Sequence, residues 1–95
     1  MSDLIERIKS DDTSYGDQVV NALGLTGVSA FHAAAGAAFG LVDDAIRLVQ
    51  MAGLDAAELV AEAVAELRRA ESSDRDFAKH LAAQILIAAL KTRGK

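Results

Sequence analysis

The sequence predicts an all-α protein: a small bundle of four to five helices around a long, central, apolar helix. Three observations point there. The 95 residues contain no proline, and alanine, leucine and glutamate dominate the second half, a composition that favours helix. No run alternates β-branched residues with hairpin turn chemistry. Finally, the stretch from Ala22 to Val42 carries no charge, in a chain where charged residues make up 25%. The other helices, a partner or a bilayer must cover it.

Length bounds the architecture to a single helical domain over residues 1–95, near the size where stability is marginal. Hydrophobic residues reach 52% but aromatics only 4%, from Phe31, Phe39, Phe77 and Tyr15. The predicted core is therefore aliphatic and rich in alanine.

Taken in order, Leu4, Ile5 and Ile8 form an apolar stripe at helical spacing, which predicts a short first helix over residues 3–9. Asp11, Asp12, Thr13 and Ser14 interrupt it. Ser14 followed by Asp17 reads as the start of a second helix over Tyr15–Leu23, and Gly24 as its left-handed end. Thr26 is the candidate N-cap of the third helix, predicted as one unbroken segment from Gly27 to Ala52. Its apolar positions Val28, Phe31, Ala35, Phe39, Val42, Ile46 and Val49 fall close to a heptad seam. The first half is apolar all round, which marks a buried helix. In the second half Asp43, Asp44, Arg47 and Gln50 face outward, with Asp43 and Arg47 spaced to pair.

Gly53-Leu54-Asp55 is the sharpest junction. Gly53 fits the residue just past a helix end, and Leu54 fits the hydrophobic contact that follows it. Asp55 with Glu58 reads as a variant capping box. The fourth helix is predicted over residues 56–70, with Leu59, Val60, Ala63, Val64 and Leu67 inward and Glu58, Glu62, Glu66 and Arg69 in water. So short a link predicts antiparallel neighbours. A second turn follows at Glu71-Ser72-Ser73, with Ser73 capping and Asp76 in support. The fifth helix is predicted over residues 74–92, apolar on most sides from Leu81 to Leu90.

The net charge of -4 argues against nucleic acid as a partner, which needs a basic face. Lys91, Arg93 and Lys95 read as favourable charge at a helix C-terminus. No cysteine is present, which removes disulfide and thiolate chemistry and is compatible with the cytoplasm. The first residues lack the basic start and apolar run of a signal peptide. A cytoplasmic protein, soluble without detergent, is the expectation.

No motif carries chemistry. His32 and His80, even with Asp43 or Asp44, have neither the i, i+4 spacing nor the His-Glu-x-x-His pattern of a zinc site. A di-iron bundle needs glutamate three residues before each histidine, where this chain has Ser29 and Phe77. Asp43 and Asp44 point about 100° apart on a helix and do not share a site. No nucleophile elbow surrounds Ser29 and no phosphate loop follows the glycines. No cofactor is implied.

The leading expectation is a non-enzymatic protein–protein interaction or assembly protein that self-associates, first as a dimer. Its argument is that a 25-residue central helix is hard to wrap, and that Ile85, Leu86 and Ile87 point to several sides. Ser29, Ala33, Gly36, Ala37 and Gly40 supply small residues for close helix approach. With Ile85 and Leu86 they form the predicted interface. Two alternatives stand beside it: a small-molecule or metal-binding bundle using His32, and a membrane-associated protein inserted through residues 22–42. The length of that run fits a span, although its alanines and glycines are only weakly hydrophobic.

Overall fold

The computed structural model describes residues 2–10, 14–69 and 77–93. Within them the regular structure is all helix: α1 (Ser2–Lys9), α2 (Gly16–Ala22), α3 (Val28–Ala38), α4 (Val42–Met51), α5 (Ala56–Arg69) and α6 (Phe77–Arg93). The radius of gyration is 11.8 Å. The all-α prediction holds, but the centre of the bundle lies elsewhere than expected.

The central helix is α6. It is the longest described helix, at 17 residues, and it contacts each of the other five. Ile85, Leu86 and Ile87 are all buried. Three consecutive residues at ~100° steps span more than half of a helix circumference, so neighbours must lie on several sides. Leu90, Ala82 and Ala89 complete its buried set. The surplus apolar surface of this segment is thus satisfied within the chain by α1 to α5.

The helix predicted from Gly27 to Ala52 is two helices. α3 ends at Ala38, and Phe39-Gly40-Leu41 joins it to α4. The cause is local. Gly40 takes a φ of 94°, which L side chains rarely adopt. The Leu41 amide then donates to the Gly36 carbonyl at 3.0 Å, and the Gly40 amide to Ala37 at 2.9 Å. This pair of bonds is the Schellman ending of a helix. The same pair recurs at Gly24–Leu25, onto Val20 and Asn21, and at Gly53–Leu54, onto Val49 and Gln50. Three Gly-Leu dipeptides therefore end three consecutive helices.

Other local readings fare variously. The Glu58 amide donates to Asp55 Oδ1 at 3.2 Å, as the cap spacing predicts. Leu59, Ala63 and Leu67 are buried on α5, with Val60 and Val64 half-buried. α2 begins at Gly16 rather than Tyr15, and the Ser14 hydroxyl accepts from Arg7 Nη2 at 2.9 Å. The N-cap position of α3 is Gly27, not Thr26, and it makes no side-chain capping bond. Arg47 pairs with Asp44 at 3.5 Å instead of with Asp43. Arg93 serves a different helix end than predicted: its Nη2 donates to the Leu23 carbonyl at 3.1 Å, tying the end of α6 to the end of α2. The predicted turn at Glu71–Ser73, its Asp76 and the start at Asp74 lie outside the described residues.

Candidate functional site

The most unusual surface is on α3. Its buried residues are Ala30, Ala33, Ala34, Ala37 and Ala38, all small. Its large residues point outward: Val28 is 73% exposed, Phe31 40% and Phe39 71%. At ~100° per residue, Val28, Phe31, Ala35 and Phe39 fall within an arc of about 80°, opposite the alanine face. Leu41, 57% exposed, continues the patch past the helix end. The first half of the predicted heptad seam is thus turned to solvent, while Val49 in its second half is buried.

Two causes produce this inversion. Alanines let α3 lie close against α2, α4 and α6, all of which it contacts. Closest is the approach at Gly36, where an added Cβ would stand 1.8 Å from Asp44 Oδ2 and 3.0 Å from Asp44 Cβ. Leu41 is left outside for a related reason. In a Schellman ending the residue after the glycine packs against the residue four positions before that glycine. The backbone bonds set Leu25 opposite Val20 and Leu54 opposite Val49, and both leucines pack on the core. Leu41 finds Gly36, which offers no side chain.

The predicted interface residues divide accordingly. Ser29 is exposed, and Gly36 and Gly40 are half-buried. Ala33, Ala37, Ile85 and Leu86 lie in the chain's own core, at 0–1% exposure. Their side chains are already covered, so the surface open to a partner is the other face of α3. Residue-level pattern reading missed Val28, Phe31, Phe39 and Leu41 as surface. The available signal was the repeated Gly-Leu dipeptide: reading Gly40–Leu41 as a third terminator splits the helix and frees the stripe.

His32 and His80 are both exposed. Among the described residues no group of three His, Cys, Asp or Glu could hold a metal ion. No helix of the described residues is long and apolar enough to cross a membrane, because the uncharged run is broken at Gly24 and Gly40. Among the described residues two open depressions mark the surface. One of about 490 Å³ adjoins the α3 patch and is lined by Gly40, Leu41, Val42, Asp43, Asp44 and Arg47. The other, about 360 Å³, runs between α5 and α6 beside Glu62, Glu66, Gln84 and Lys91. No protein-family model, curated protein or solved structure matches the chain.

Proposed function

We propose that this chain is a non-enzymatic protein–protein interaction or assembly protein of the cytoplasm, working through the outer face of α3. One observation carries the reading. Four large apolar side chains on and just past α3 are exposed, within a sequence stretch that carries no charge from Ala22 to Val42, while the same helix buries only alanines. Contiguous exposed apolar surface of this kind marks interaction sites in soluble proteins. Its aromatic residues are the type enriched at interface centres. A catalytic reading has no comparable support: His32 lies on the exposed surface, without clustered partners among the described residues.

Site-specific photo-crosslinking in the host cell tests the proposal. A benzophenone amino acid at Phe39 should give a protein adduct, and the same probe at exposed Glu62 on α5 should not. Equal labelling from both positions, or none from Phe39, removes the α3 face as the docking surface.

A further inference from the structure

We infer, independently of what the outer face of α3 binds, that the α3–α4 junction is a two-state hinge. It folds back on itself in the single chain, and it straightens into one continuous helix when two copies exchange their α1–α3 halves.

The three Gly-Leu junctions are not equivalent. Gly24–Leu25 is held from outside: Arg93 donates to the Leu23 carbonyl, and a second left-handed glycine, Gly27 at φ 101°, precedes α3. Gly53–Leu54 is followed by Asp55, whose carboxylate caps α5 through the Glu58 amide. Leu25 and Leu54 both pack on the core. Gly40–Leu41 has none of these supports. Leu41 is 57% exposed and sits at the N-cap position of α4 without a side-chain capping bond. Leucine is among the poorest N-cap residues.

The segment is otherwise built like a helix interior. It contains no proline, and the apolar seam from Val28 to Val49 keeps its spacing across the break. The large departures from helical backbone are at Gly40, with φ 94°, and at Leu41, with ψ 105°. Among the described residues the carbonyls of Ala38 and Phe39 and the amides of Val42 and Asp43 have no protein partner. A continuous helix pairs these four groups with one another, Val42 onto Ala38 and Asp43 onto Phe39. Turning two residues is enough to pass from one state to the other, as hinges do.

A second copy is required by what straightening uncovers. It pulls α1–α3 away from α4–α6 and opens the surfaces where α3 meets α4 and where α1, α2 and α3 meet α6. Those surfaces carry the chain's own core, which water does not tolerate. The α1–α3 half of another straightened copy presents the same surface. Mutual exchange therefore restores each contact between chains, including Gly36 against Asp44. Only the hinge differs between the two states. Gly40 is the residue that favours the closed one, through its positive φ and its low helix propensity.

The test uses the full chain. Gly40→Ala strains the closed turn and favours the straight helix. Each dimer holds two hinges, so the dimer dissociation constant should fall by about a thousand-fold. Refolded at high micromolar concentration, the variant should give twice the mass of one chain by light scattering.

A cysteine pair separates exchange from side-by-side association. A Cβ added at Gly36 stands 3.0 Å from Asp44 Cβ, near the ~3.8 Å that a disulfide prefers. Gly36→Cys with Asp44→Cys, in a chain with no other cysteine, therefore reports which chain supplies the contact. In a straight helix the two positions of one chain lie ~12 Å apart, beyond the ~7 Å a disulfide spans. Refolded concentrated, then diluted and oxidised, the pair with Gly40→Ala should give covalent dimers on a denaturing gel. With Gly40 retained and dilute refolding it should give single, internally cross-linked chains. A monomer mass for Gly40→Ala, or a dimer whose disulfides all lie within chains, overturns the exchange. If Gly40→Ala does not fold, the pair with Gly40 retained decides. Interchain cross-links that rise with refolding concentration support the hinge, and their absence at millimolar chain overturns it.

Discussion

α3 and α6 resemble each other in sequence and behave oppositely in the fold. Neither confines its apolar residues to one stripe. In α6 the large residues Ile85, Leu86, Ile87 and Leu90 are buried because five helices surround them. In α3 the apolar residues separate by size, alanines inward and Val28, Phe31 and Phe39 outward. An apolar helix without a stripe is therefore either enclosed or inverted, and side-chain size distinguishes the two. Large residues all round need neighbours all round. Small residues on one arc allow a close approach there and leave the bulk elsewhere.

Truncation should separate the two helices most strongly. Ile85→Ala is expected to cost about 3–4 kcal/mol, as large-to-small changes at fully buried positions do. Phe39→Ala, at 71% exposure, should stay within about 0.5 kcal/mol. Urea unfolding in dilute solution, where association is minimal, measures both. A large loss at Phe39 under those conditions means that the α3 face is covered within the monomer.

Enlargement tests the inversion itself. Ala33→Leu adds bulk to a position at 0% exposure and should cost about 2–3 kcal/mol through overpacking. Ala35→Leu points the same addition outward and should be neutral within about 0.5 kcal/mol. Equal costs at the two positions contradict the inverted orientation.

Gly36 gives the next effect. Gly36→Ala places a methyl against Asp44. Alanine's better helix propensity, up to ~1 kcal/mol, offsets part of the overpacking. A net loss of about 1 kcal/mol is expected. Adding Asp44→Ala should recover most of it, since the clash is with that side chain. Additive losses in the double variant would instead implicate backbone contact between α3 and α4.

Much of the fold was legible from residues alone. The Asp55–Glu58 cap and the Gly53–Leu54 ending follow from local chemistry and appear where the spacing puts them. The break at Gly40 follows from the same chemistry. It was hidden because glycine in an alanine-rich run reads equally well as a site of close helix approach. Gly36, four residues earlier, does have that role. Local pattern also assigns every apolar residue of a charge-free run to the interior. Which arc of α3 turns inward depends on Asp44, α2 and α6, none of which the run itself contains. For the same reason the predicted interface favoured Ala33 and Ala37, whose size suits the core, over Phe31 and Phe39.

The smallest effect contrasts two leucines in the same backbone setting. Leu54 and Leu41 each follow a left-handed glycine, and each amide closes the same six-residue ring. Only the residue opposite differs: Val49 for Leu54, Gly36 for Leu41. Leu54→Ala removes a half-buried side chain from the core and should cost about 1 kcal/mol, part of the value of full burial. Leu41→Ala should cost less than ~0.3 kcal/mol in the monomer, as surface substitutions do. The decisive variant is Gly36→Val with Asp44→Ala, which restores a side chain opposite Leu41 after clearing space for it. If the Schellman contact is what holds such leucines inward, Leu41→Ala in that background should cost more than in the parent, by a few tenths of a kcal/mol. An unchanged cost would show that the core around α4, rather than the facing residue, decides where the leucine goes.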